Sequence, residues 1–294
     1  MPAHSLGVLF AIGALFAWGA GDFLIQKSTR QIGVMRTLFY NGVFGVLILT
    51  PFIWDDILSA LSHPNELRLL FTSGSIMFLA AILMFEAYRL GKLAIVEPIF
   101  GVELPLTVLL GVFLAHERLS FLQASLILVI FIGILLAITS HHSKLQYHRR
   151  IFEKGVPVAI LGMLAMALTN YFVGRASQES SAVLTIWFVN VVDVILAFIY
   201  MATRTKIKGL VNDLIKYPAV VISQGIVDNI AWLFFALAMT LIPISIAVTI
   251  SESYIILSVI LGIFINKEKL RPHQLAGLPL AILGVIILSV ISAN

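Results

Sequence analysis

The chain has 294 residues, 60% of them hydrophobic and 12% charged, with a formal net charge of +4 and a mean hydropathy of +1.03. Soluble domains carry roughly 45–50% apolar and about 25% charged residues, so this chain has too little polar material to cover a water-facing surface. Cysteine is absent, which excludes a disulfide framework and thiolate chemistry.

The first apolar run covers about residues 6–26. It follows Met1-Pro2-Ala3-His4-Ser5, which lacks the cationic opening of a secretory leader, and reads as a retained helix. Further runs fall near 34–54, 67–88, 93–115, 120–140, 155–174, 182–202, 217–240, 243–265 and 273–292. Each is long enough to cross hydrocarbon, which takes ~20 residues. In lipid a helix is the open structure that satisfies its own backbone. The expectation is an all-α membrane protein of ten transmembrane helices. The apolar fraction dips over residues 140–155, so 141–154 reads as a linker between a first half, 1–140, and a second, 155–294.

The halves repeat. A shift of 151 residues places Leu110-Gly111-Val112-Phe113 on Leu261-Gly262-Ile263-Phe264, Glu117-Arg118-Leu119 on Glu268-Lys269-Leu270, Gln123 on Gln274 and Gly133 on Gly284. Matches of Leu or Ile come cheaply in such a composition; a co-linear set with Glu and Gln does not. Five helices per repeat is an odd number, so the second half enters from the opposite side. Two inverted five-helix repeats are thus expected around a central cavity near the midplane.

Ala17-Trp18-Gly19, Lys27 and Arg36 resemble the opening of the EamA-type members of the drug/metabolite transporter superfamily. The stretch from Glu103-Leu104-Pro105 through Leu110-Gly111-Val112-Phe113 to His116-Glu117-Arg118-Leu119-Ser120 is similar to that family's fourth-helix end, and Lys267-Glu268-Lys269-Leu270 is its second-half counterpart. The resemblance implies a cavity lined by helices one to four and six to nine, with five and ten set aside as packing. Residues 121–139 and 274–290 independently contain no ionisable side chain.

The odd-numbered loops hold 16 Lys and Arg against 3 in the termini and even-numbered loops. By the positive-inside rule the odd loops are cytoplasmic and both termini outside. The resemblance implies cytoplasmic termini instead. A plasma (cell inner) membrane location is expected.

Four carboxylates fall mid-span: Glu103, Asp193, Asp228 and Glu252. Facing lipid, they would cost about 10–14 kcal/mol together, so they face a cavity, a partner or hold a proton. Lys and Arg sit at span ends. A carboxyl withdrawn from water favours its neutral form, which suits proton coupling; a protonated acid that only hydrogen-bonds a neighbouring helix fits as well. Glu252 lies among hydroxyls in Thr249-Ile250-Ser251-Glu252-Ser253-Tyr254, and there the functional reading is favoured. Glu103 precedes Pro105, whose missing N–H frees the Gly101 carbonyl, a broken-helix pattern.

Asp22, Glu86 and Glu97 lie toward the end where Lys27, Arg30, Arg36, Arg89 and Lys92 gather and read as ion pairs or a gate at the cytoplasmic rim. Trp18, Trp232, Tyr254, Tyr40, Asn170 and Asn190 are the aromatic and amide candidates for the cavity. Acids and aromatics without bases suit an amine through cation–π contact. No phosphate-binding loop, HExxH or Cys/His cluster occurs, so no cofactor, metal or nucleic acid is expected, and no GxxxG dimer motif is present. The expectation is a monomeric secondary carrier of amino acids or other amine-bearing or neutral solutes, with protons as candidate coupling ions. An intramembrane enzyme, a lipid-handling protein or a channel are the alternatives.

Overall fold

The structure is a computed structural model that describes residues 2–91, 93–138, 155–204, 207, 209–257, 260 and 272–293. The expected linker 141–154 and the Lys267–Leu270 motif lie outside the described residues.

Apolar composition with few breakers makes helix the default here. The helices are α1 (Ala3–Ile32), α2 (Val34–Leu49), α3 (Trp54–Leu61), α4 (Pro64–Leu90), α5 (Leu93–Phe100), α6 (Glu103–Phe113), α7 (Phe121–Ile138), α8 (Gly155–Glu179), α9 (Ala182–Thr203), α10 (Leu210–Lys216), α11 (Pro218–Leu241), α12 (Ile244–Ser251) and α13 (Pro272–Ala293). Among the described residues eight helical stretches are long and apolar enough to cross a membrane, and Pro98–Phe113 and Ile244–Leu257 are shorter apolar ones. Polarity is turned inside out. Phe16, Phe71 and Phe121 are 59%, 62% and 91% exposed, whereas Asp22, Glu103, Asp193, Asp228 and Glu252 are all at most 6% exposed. That is the pattern of helices whose outer faces meet lipid tails.

The packing partners obey the repeat. α1 lies against α11 and α4 against α8; α2 lies against α9, and α7 against α13. The 151-residue shift exchanges the first two pairs and maps each of the others onto itself, the signature of a pseudo-two-fold axis between halves. The shift carries α5 onto α12 residue for residue. In the α7–α13 pair a Cβ on Gly133 would come 2.7 Å from the Ala281 nitrogen, and one on Gly277 2.7 Å from the Gly133 carbonyl. Glycine there lets the two backbones touch.

Two expected spans, 93–115 and 243–265, are each interrupted, the first where Pro105 gave a broken-helix pattern and the second where a continuous helix was expected. The first breaks at Gly101-Val102, between α5 and α6; the second breaks at Glu252-Ser253, after which helix resumes at Tyr254. The shift again places one break on the other. The backbone slips identically: the Val102 N–H donates to the Ile99 carbonyl at 3.2 Å and the Ser253 N–H to the Ile250 carbonyl at 3.3 Å, three residues back instead of four. The causes differ. Pro105 cannot donate to the Gly101 carbonyl. In the second half hydroxyls do the loosening: Ser253 Oγ donates to the Thr249 carbonyl at 2.7 Å, taking the place of its own N–H, and Thr249 and Ser251 bond back to Ser245 and Ala247 at 2.6 and 2.8 Å. Such back-bonding competes with the helical ladder.

The connection read as a loop after residue 54 contains α3. Its Asp56 accepts from Ser181 Oγ at 2.7 Å, while Ser181 caps α9 by accepting from the Leu184 N–H at 3.1 Å. At the corresponding place in the other half, Asp213 of α10 binds Arg36 in the first turn of α2, Nη1 to Oδ2 2.9 Å. Each short helix thus ties down the start of its counterpart's preceding helix. Glu117 joins the halves as well: its carboxylate accepts from the Ile244 N–H, from the Ser245 N–H at 3.0 Å and from Ser245 Oγ at 2.5 Å. A carboxylate at a helix N-terminus satisfies free donors and opposes the helix dipole.

Candidate functional site

One cavity lies between the halves and takes in about 550 Å³ of non-atom space, its opening included. Its walls come from α1, α2, α4, α8, α9 and α11 and from both helix breaks. The breaks matter for chemistry: each turns a carboxyl-bearing residue, Glu103 or Glu252, into the space between halves.

Five carboxylates border this cavity: Asp22, Glu103, Asp193, Asp228 and Glu252. Among the described residues no Lys or Arg borders it. The acids fall into two groups. Glu103, Glu252 and Asp22 lie within electrostatic reach of one another; Asp193 lies within electrostatic reach of Asp228. Asn170 Nδ2 donates to Glu103 Oε1 at 3.3 Å, and Glu103 Oε2 has no partner among the described residues. Asn41 Nδ2 donates to Asp228 Oδ2 at 2.7 Å. Side chains that would be ruinous against lipid are therefore grouped where solutes or protons can reach them.

Trp18 and Trp232 meet edge to face, centroids 5.2 Å apart at 81°, and Tyr254 stands 6.3 Å from Trp18. These rings close one wall of the acid-lined space, and aromatic faces attract cations. Asn190 sits one step away, in a smaller adjoining pocket with Asn41, Asp193, Asn229 and Trp232. Its Nδ2 donates to Asn229 Oδ1 at 2.7 Å and to the Ile186 carbonyl at 2.8 Å.

Several expectations need correction. Asp22 was expected in an ion pair or gate at the rim; it borders the cavity beside Glu103 and Glu252. Tyr40 was expected in the cavity; its hydroxyl instead donates to the Leu210 carbonyl, and its ring packs with Ile32 and Val221. Arg36 pairs with Asp213, which was not among the acids expected at the rim. Glu86 and Arg89 pair with each other, Nη2 to Oε1 2.5 Å; both are partly exposed, so the pair is worth ~0–1 kcal/mol. Lys27 is exposed and has no ion pair among the described residues. The Glu97 side chain and Lys92 lie outside what is described.

The reading of the sequence missed the α4 wall. Met77, Ala81, Phe85 and Tyr88 border the cavity at spacings of three to four residues, one face of a helix. On a helix apolar all round, no periodicity distinguishes that face.

A lipid-facing helical bundle with two related halves and a polar core defines a multi-pass membrane protein built to handle solutes. The sequence matches the EamA-like transporter family over residues 5–139 and 153–290, one match per repeat, and the chain belongs to that family. It is a membrane transporter of the drug/metabolite transporter superfamily, a family of transporters and not of enzymes. A crystal structure described only as that of a protein superposes with a TM-score of 0.68 at 14% identity, covering 97% of each chain; at that identity it speaks for the fold alone. No curated protein matches the sequence.

Proposed function

We propose that this transporter is a monomeric secondary carrier of small amine-bearing solutes, amino acids among them, working by alternating access across a plasma membrane. In this reading the two interrupted helices are the fourth and ninth of ten spans, and the halves are inverted about the midplane. The observation that carries it is the cavity itself: five buried carboxylates, an aromatic wall and no lining base. A phosphate or carboxylate cargo calls for Arg or Lys; an ammonium finds counter-charge and ring faces here.

Glu103 and Glu252 supply the coupling. Two carboxylates that close repel when both are charged, and a shared proton removes the repulsion. Each stands at the break of a helix from a different half, so rocking the halves separates them and gives the proton a path to the opened side.

The test is binding to the purified protein. Amino acids and polyamines are expected to raise its thermal unfolding midpoint in a saturable way, as any ligand of the folded state must, while sugar phosphates and nucleotides leave it unmoved. A phosphorylated sugar as the best stabiliser would reverse the assignment of cargo.

The loop charges place both termini outside the cytoplasm in this proposal. A C-terminal alkaline phosphatase fusion is expected to be active and a green fluorescent protein fusion dark; the opposite pair of results contradicts the orientation.

A further inference from the structure

The smaller pocket beside the cavity has room for one water-sized group. Its polar residues are Asn41, Asn190, Asp193 and Asn229, and Asp193 borders both this pocket and the main one. Asp193 is 2% exposed, and its Oδ1 has no hydrogen-bond partner among the described residues.

Asn190 and Asn229 do not have the hydrogens to satisfy it. Asn190 Nδ2 is spent on the Ile186 carbonyl and Asn229 Oδ1. Asn229 Nδ2 is spent on the Gly225 carbonyl at 2.8 Å and on Asn41, its backbone oxygen at 3.0 Å and its Oδ1 at 3.2 Å. An amide nitrogen carries two donors, so both residues have only their oxygens left to offer. A buried carboxylate oxygen that receives no hydrogen bond is incomplete without a proton or a positive group.

We propose that this pocket is a subsite for one small monovalent cation, held by Asp193 with the amide oxygens of Asn190 and Asn229 and walled by Trp232. Carboxylate and amide oxygens suit a hard cation. Among the described residues no three His, Asp or Glu side chains converge as a divalent metal would require, and the space admits a single small group. Na⁺ and the ammonium end of a solute share this chemistry. The subsite does not depend on the cargo assigned above, since Na⁺ would occupy it whatever the main cavity carries.

The test is the thermal unfolding midpoint of the purified protein in sodium chloride, methylammonium chloride and choline chloride at equal ionic strength. A saturable rise with sodium over choline identifies a coupling-ion site. A rise with methylammonium and not sodium identifies the seat of the cargo's ammonium. Either supports the subsite, provided that Asp193→Asn, which keeps the shape and removes the charge, abolishes the response. Asn190→Ser is expected to raise the half-saturating concentration about tenfold or more, and it decides the matter if Asp193→Asn does not fold. Equal midpoints in all three salts would mean that the pocket holds a water, and a response that survives in Asp193→Asn would equally overturn the proposal. Failure here together with stabilisation by amines would leave the carrier reading intact.

Discussion

Replacing Glu252 by Gln is expected to abolish accumulation driven by a proton gradient while sparing counterflow. Gln has the size of the protonated acid, so the neutral arrangement at the break is retained and the fold is little changed. What is lost is the proton exchanged in each cycle. For one coupled proton, each unit of pH difference is worth about 1.36 kcal/mol, or tenfold in accumulation. At a gradient of two units the wild-type ratio is therefore about a hundredfold, and the variant falls to the level without a gradient. Counterflow, driven by the solute's own gradient, persists. The helix break supplies the reason for singling out Glu252: it occupies the slipped turn itself, 6% exposed, facing Glu103 from the other half. Normal pH-driven accumulation in Glu252→Gln would remove it from the mechanism.

Gly45→Ala is expected to be the most destabilising single methyl addition along α2. A Cβ there would lie 2.3 Å from both Asn190 Nδ2 and Asn229 Oδ1, inside the amide cluster that joins α2, α9 and α11. Overpacking a filled interior costs about 1–3 kcal/mol, and a buried amide left unpaired about 1–3 more. The sum, about 2–6 kcal/mol, is large against a typical fold stability of about 5–15. Gly21→Ala is the control. It also lies inside a long helix, but its Cβ would meet nothing nearer than Val227 at 3.8 Å, and Ala is the better helix former by up to about 1 kcal/mol. The midpoint should fall by many degrees in the first and hold or rise in the second. Equal midpoints would mean that the amide cluster has room to shift.

How much of this was legible in the residues alone depends on what kind of signal each feature leaves. Helices announce themselves because lipid permits nothing else, and the repeat survives as Glu117, Gln123 and Gly133 beside their counterparts. The first break was legible because Pro105 removes a donor in a known place. The second has no proline; its signal is the run Thr249, Ser251, Ser253, which was read as surroundings for Glu252 and not as the cause of a break. The mid-span acids were legible through their cost, whereas Asp22 was grouped with the nearby Lys27 and Arg30, and no local pattern shows that it borders the cavity. Arg36 binds Asp213 and the Tyr40 hydroxyl binds the Leu210 carbonyl where α2 meets α10, and no local pattern links residues so far apart in the chain.

The most direct measurement is uptake into proteoliposomes loaded at high pH and diluted into low pH, with labelled amino acids or polyamines in one series and a labelled sugar phosphate in the other. The proposed carrier, with its acid-lined cavity between two halves, predicts concentrative uptake of an amine that disappears in Glu252→Gln, and no uptake of the phosphate. Concentrative uptake of the sugar phosphate, with no amine moved, would contradict it.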